Sequence, residues 1–196
     1  MRLEVKCFII EGGKNPYPRS DGAAGYDLNI RAVVSMGMDP FIPHMRDTLF
    51  DFVSTQTNRT IAKYVETKPV NRPDRGIMNE PVYVLPPTES VSLGLGVVFE
   101  IPKGWAGYVE PRGSTINPLN LEVLNDSVPI DSDFRAEIWA EIRNNGNKPV
   151  DIYRHMRLVQ VVFKPVFTGR LKLSDQVEEL SHTYRGNGCH GSTGQC

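Results

Sequence analysis

Residues 90–111 read SVSLGLGVVFEIPKGWAGYVEP. Two runs within it, 90–101 and 104–111, alternate apolar residues with polar or small ones, and PKG punctuates them as a tight turn, which is the pattern of strands rather than of a helix. The same period of two recurs in LEVKCFII at 3–10, AEIWAEIRN at 136–144 and RLVQVVFKPVF at 157–167. Turn clusters such as EGGKNP, NNGNKP and DSD stand between them. Seventeen glycines and fifteen prolines in 196 residues supply the tight connections that many short strands need. A parallel sheet would require helical crossovers, and no such segments are evident. The predicted class is therefore all-β, an antiparallel jelly-roll-like barrel.

One segment interrupts the pattern. Residues 36–85 are rich in Pro, Arg, Asp, Thr and Met, and are read as an insertion in a single domain spanning 1–196. Within it, DTLFDFVSTQTNRTIAKYVE at 47–66 is compatible with a helix or a hairpin. Its Leu49, Phe50, Phe52, Val53, Ile61, Tyr64 and Val65 suffice to bury one face, so the insertion is expected to fold onto the body or meet a partner. Residues 185–196 are too glycine-rich to pack as a strand or helix and are read as a flexible tail.

The 22 basic and 23 acidic residues leave a net charge of −1, so no whole-molecule field would hold nucleic acid or an anionic membrane; an anionic ligand must meet a local cluster. No apolar run approaches 18 residues and the first residues lack a signal-peptide pattern, so a cytoplasmic protein is expected. Cys7, Cys189 and Cys196 have no zinc-like spacing.

Three clusters carry chemistry. The tail, RGNGCHGSTG at 185–194, spells GxGxxG and nearly a Walker A loop, yet neither is followed by the helix those motifs require. What remains is a set of anion-binding parts: glycine backbone, the Arg185 fork, and the Ser192 and Thr193 hydroxyls. PRGSTIN at 111–117 places Arg112, Gly113, Ser114 and Thr115 after a strand, a second phosphate-holding set. NDSVPIDSDFRAE at 125–137 begins like a calcium loop but puts Phe134 and Arg135 where ligands belong. In a hairpin, Asp131 and Phe134 could instead line a small pocket.

AAGYDL at 23–28, PRGST at 111–115, NDSVPIDSDF at 125–134, MRLVQVVF at 156–163 and RGNGCHGSTG at 185–194 together resemble the five ordered motifs of the trimeric dUTP diphosphatases, in a form similar to bacterial and phage members. The resemblance implies hydrolysis of dUTP to dUMP and pyrophosphate in the cytoplasm, or in a host's cytoplasm if the chain is viral, by a homotrimer with shared active sites. It implies Asp131 as the base that orients a water toward the α-phosphorus. Asn125 would face the uracil edge, with the hairpin backbone around Ile130. Arg112, Gly113, Ser114, Thr115, Gln160, Arg185, Gly188, Gly191, Ser192 and Thr193 would hold the triphosphate. His190 stands where the family carries an aromatic lid, and Phe134 where it usually carries a sugar-facing tyrosine. Magnesium would arrive bound chiefly by the phosphates, with Asp27 contacting its waters. The usual PRSG is PRGS here, so a hydroxyl is missing at Gly113.

Two alternatives carry different consequences. Glu141 falls where the related dCTP deaminases place their base-activating glutamate, which would give a deaminase. A nucleotide-sensing protein on this fold would grip a protein partner through residues 36–85.

Overall fold

The computed structural model describes residues 3–167, 169–184 and 186. Two compact units divide the chain, Met1–Val166 and Phe167–Cys196. The second unit has among its described residues a single one-turn 3-10 helix, Val177–Glu179.

The first unit is antiparallel β. Its strands are β1 (Lys6–Ile9), β2 (Tyr26–Asp27), β3 (Ala32–Met38), β4 (Arg46–Asp51), β5 (Val65–Arg72), β6 (Gly76–Leu85), β7 (Ser90–Gly94), β8 (Val97–Glu100), β9 (Trp105–Pro111), β10 (Leu121–Val123), β11 (Trp139–Asn144), β12 (Val150–Tyr153) and β13 (Val159–Pro165). The helix α1, Gly113–Ile116, is one turn long. Four sheets form, ordered β10-β11-β7-β3-β4, β12-β6-β5, β2-β13-β9 and β1-β8. Every alternating run read from the sequence carries a strand, and PKG separates β8 from β9 as expected.

Alternation decides which side chains enter the core. On β7 Val91 and Leu93, on β11 Ala140 and Ile142, and on β13 Val159 and Val161 join one apolar cluster, while Ser92, Glu141 and Gln160 point away from it. Leu85 of β6, Ile152 of β12 and Phe99 of β8 complete it, so all four sheets face a common interior. Each fully buried Leu, Ile or Phe contributes about 1.5–3 kcal/mol, which makes this cluster the main stabilising feature. Among the described residues, no helix is long and apolar enough to cross a membrane.

Residues 36–85 are strand-built. The stretch 47–66 is not a continuous helix, because the Asp51 carboxylate accepts the N–H groups of Val53 at 2.6 Å and Ser54 at 3.0 Å, a local turn that ends β4. The chain then folds back, pairing Phe50 with Thr57, and reaches a short 3-10 turn at Ala62–Tyr64. β5 and β6 form a hairpin in register from Val65↔Tyr83 to Arg72↔Gly76, and Gly76 takes the positive φ of 75° that its turn requires. Phe50 and Phe52 are buried in the common core, and Leu49, Ile61, Tyr64 and Val65 pack against it; Val53 alone of the seven expected residues stays exposed. The segment folds onto the body through these side chains.

Candidate active site

Asp27 is the hub of the site. It lies on the short strand β2, is only 4% exposed, and receives three guanidinium groups: Arg112 Nε at 2.8 Å, Arg157 Nη1 at 3.3 Å and Arg19 Nε at 3.3 Å. One carboxylate among three arginines leaves a local excess of positive charge. Arg112 and Arg157 keep about a quarter of their side chains exposed and Arg19 more than half, so that excess faces solvent. Such a cluster attracts polyanions, and guanidinium forks suit phosphate oxygens.

The backbone explains why these residues meet. β13 lies between β2 and β9, with Gln160 opposite both Asp27 and Glu110. Gln160 Nε2 donates to the Pro111 carbonyl at 3.4 Å, and a Cβ on Gly25 would stand 2.6 Å from Gln160 Oε1, so the glycine of AAGYDL makes room for that amide. Arg112 leaves β9 with its N–H on the Leu158 carbonyl at 3.0 Å and its Nη1 on the Arg157 carbonyl at 2.9 Å. Ser114, exposed on α1, lies 3.4 Å from Arg112 Nη1. Gly113 is exposed, with open space where a Cβ would be. AAGYDL, PRGST and MRLVQVVF are thus brought to one place.

Three of the expected site side chains have partners within the protein. Thr115 is fully buried and its hydroxyl donates to the Leu158 carbonyl, so it fixes α1 on β13 instead of facing a phosphate. Asn125 donates Nδ2 to the Trp139 carbonyl at 3.1 Å and accepts the Glu141 N–H on Oδ1 at 3.0 Å, which extends the β10-β11 ladder with a side chain and leaves the amide a second N–H and a second lone pair. The Asp27 carboxylate is engaged by arginines, so it acts as their anchor before it can meet hydrated metal.

The loop after Asn125 builds a second face. Ile130 pairs with Gly107 of β9 through two backbone hydrogen bonds of 2.7 and 3.1 Å, and its side chain packs on the core. Asp131 follows, exposed, and its carbonyl accepts the Phe134 N–H at 3.2 Å. Phe134 is half-buried against the core. Gly107, which pairs with the residue before Asp131, lies five residues before Arg112, which follows β9, so their backbone positions are about 17 Å apart along an extended chain.

Glu141 lies on the outward side of β11, where its carboxylate accepts the Ser92 hydroxyl of the neighbouring strand β7. Among the described residues, no group of three His, Cys, Asp or Glu is poised for a cation. Arg185, Gly188, His190, Gly191, Ser192 and Thr193 lie outside the described residues. Sequence reading missed Arg19 and Arg157 as members of the cluster; Arg157 stood inside MRLVQVVF, but only the fold brings Arg19 to Asp27.

The family model for dUTPase matches residues 77–194. The deoxyuridine 5'-triphosphate nucleotidohydrolase of Rhizobium rhizogenes is 36% identical over 110 residues, covering 56% of this chain and 69% of that protein. That of Bdellovibrio bacteriovorus is 39% identical over 112 residues, covering 57% and 73%. In structure, the chain resembles a mutant of the Staphylococcus bacteriophage 80alpha dUTPase solved with dUpNHpp, at a TM-score of 0.65 and 16% identity over 98% of this chain and 99% of that one, a likeness of fold. The matched region contains PRGST, the Asp131 loop, MRLVQVVF and the glycine-rich tail, and on this match the chain belongs to the dUTPase family.

Proposed function

We propose that the protein hydrolyses dUTP to dUMP and pyrophosphate. The observation that carries the reading is the group of three arginines on Asp27, assembled by motifs of a chain in the dUTPase family. Arg112, Arg157 and Arg19, with the Ser114 hydroxyl, would bind the triphosphate and stabilise the charge that builds on it. Asp131 would hold a water for attack on the α-phosphorus and take its proton. The backbone of residues 126–130 would meet the uracil edge, together with the remaining N–H and lone pair of the Asn125 amide that β11 holds in place. Magnesium would be held chiefly by the substrate's phosphates, with Asp27 toward its waters, and would offset the negative charge that builds on them. Incubation of the purified protein with dUTP, dCTP, UTP and dTTP plus magnesium should release pyrophosphate and dUMP from dUTP preferentially; no pyrophosphate from dUTP refutes the reading.

The separation of about 17 Å along the chain from Gly107, beside the Asp131 loop, to Arg112 is the reason to place the two in different subunits. A homotrimer would bring the Asp131 loop of one chain to the arginine cluster of another and add residues 185–196 of a chain to the site. A protein lacking 185–196 and an Asp131→Asn protein, each nearly inactive alone, should regain part of the activity when dissociated and reassembled together. Persistent inactivity of verified mixed oligomers would contradict shared sites.

Glu141→Gln should leave dUTP turnover unchanged and reveal no deamination in either protein, because the Ser92 contact directs that carboxylate across the sheet. Ammonia release from dCTP by the wild-type protein, lost in the variant, would favour the deaminase instead.

A further inference from the structure

Residues 39–46 lie outside the region that the family model matches, yet they hold the loop that carries Asp131. Asp39 starts this segment by accepting the N–H groups of Phe41 and Ile42 on its carboxylate at 2.8 and 2.9 Å, and its own N–H donates to the Met45 carbonyl at 2.8 Å. The result is a closed loop. Met45 is buried with Ile10 and Val98, which fixes the loop to the body. His44 takes a φ of 67°, a left-handed conformation that costs a non-glycine residue energy and persists only where its surroundings enforce it.

Both polar ends of His44 face the Asp131 loop. Its carbonyl accepts the Glu137 N–H at 2.7 Å, and its Nδ1 meets the Arg135 carbonyl, a contact in which the ring nitrogen must be the donor. The next polar residue, Arg46, donates its N–H to the Glu137 carboxylate at 2.9 Å and its Nε to the Glu137 carbonyl at 3.1 Å. From Arg135 the grip continues toward Asp131: the Arg135 guanidinium donates to the carbonyls of Ser132 and Phe134, each at 2.8 Å. The Phe134 N–H closes onto the Asp131 carbonyl. A continuous set of hydrogen bonds therefore runs from the 39–46 loop to the backbone of Asp131.

We infer that His44 and Arg46 are positioning residues for the Asp131 loop, acting through Arg135 and Glu137. The inference rests on the proposed role of Asp131 as base. Its consequence is that residues 39–46 set the geometry of attack without touching the nucleotide. A carboxylate held loosely still leaves the substrate its phosphate and base contacts, so kcat falls while KM stays, and a misplacement near 1 Å can cost up to about a hundredfold.

His44→Gly isolates the effect. Glycine accepts the φ of 67° without strain and keeps the carbonyl that meets Glu137, so only the ring's bond to the Arg135 carbonyl is removed. His44→Asn retains tolerance of that conformation and returns an N–H donor to the same place. The expected result is a kcat lowered by about ten- to a hundredfold in His44→Gly with KM and thermal midpoint unchanged, and partial recovery in His44→Asn. Amide hydrogen exchange at residues 131–136 should be faster in the glycine variant and intermediate in the asparagine variant. Unchanged exchange there, or a loss of kcat that is equal in both variants and tracks a lowered midpoint, overturns the inference. If the wild-type protein turns over no dUTP, the function proposed above fails by itself, and the exchange measurement still decides whether residues 39–46 hold the loop.

Discussion

Asp131→Asn is expected to lower dUTP turnover by about 10² to 10⁴ while nucleotide binding is kept, the range typical of lost general-base assistance. The substitution changes little else. Asp131 is exposed, its carbonyl rather than its side chain closes the turn with Phe134, and asparagine is as acceptable in a turn as aspartate. Stability should therefore stay within about 0.5 kcal/mol of the wild type, as for ordinary surface substitutions. The arginines, which would supply most of the binding energy for the triphosphate, are anchored on Asp27 and have no contact with Asp131 in their own chain that the substitution would remove. Two measurements check this: single-turnover release of pyrophosphate, and equilibrium binding of a dUTP analogue that cannot be hydrolysed. Turnover at the wild-type rate would remove Asp131 from the mechanism, and loss of binding together with turnover would make it a ligand contact rather than a base.

The strands were legible because burying one face of a sheet imposes a period of two, as Val91 and Leu93 on β7 or Val159 and Val161 on β13 illustrate. The stretch 47–66 was ambiguous for a related reason. Phe50 and Phe52 are two apart and both buried, which suits a strand, whereas Ile61, Tyr64 and Val65 are spaced as on a helix, and only the turn at Asp51 separates the two patterns. At the site, the chemically capable residue types could be read, but their orientation could not. Whether the Asn125 amide meets a base or the edge of β11, and whether the Thr115 hydroxyl meets a phosphate or the Leu158 carbonyl, depends on which backbone groups would otherwise be left unpaired. Those are long-range facts. The arginines show the same limit: Arg157 and Arg19 are ordinary surface residues in sequence and meet only because β13 pairs with β2 and Tyr17 bridges Asp27.

Glu137 is the residue whose importance the alternation concealed, and removing its carboxylate is expected to cost about 3–5 kcal/mol of stability, the range for breaking a buried ion pair from one side. In AEIWAEI it shares a period-two face with Trp139 and Glu141, which suggests an outward, solvated glutamate. Instead it is fully buried. Its Oε1 accepts Arg31 Nε at 2.8 Å and the Gly96 N–H at 2.9 Å, and its Oε2 accepts Arg31 Nη2 and the Arg46 N–H, each at 2.9 Å. A Cβ on Gly94 would stand 2.6 Å from Oε1, so even the adjacent strand is shaped around this carboxylate. Burial pulls the Arg46 guanidinium below its ordinary pKa and the Glu137 charge pushes it back, which identifies the carboxylate as the counterion of two buried arginines. Glu137→Ala would leave those charges and two backbone N–H groups unmatched in the interior. Replacing Arg31 and Glu137 together by leucine should recover part of the loss by removing one of the buried charges, but not all of it, because the Gly96 and Arg46 amides would still lack an acceptor. Urea unfolding at one fixed protein concentration checks this, through the midpoint at constant slope. A midpoint for Glu137→Ala equal to that of the wild type would mean that Arg31 and Arg46 find other partners, and that the carboxylate is not what holds the start of β11, and the Asp131 loop before it, against β3 and β4.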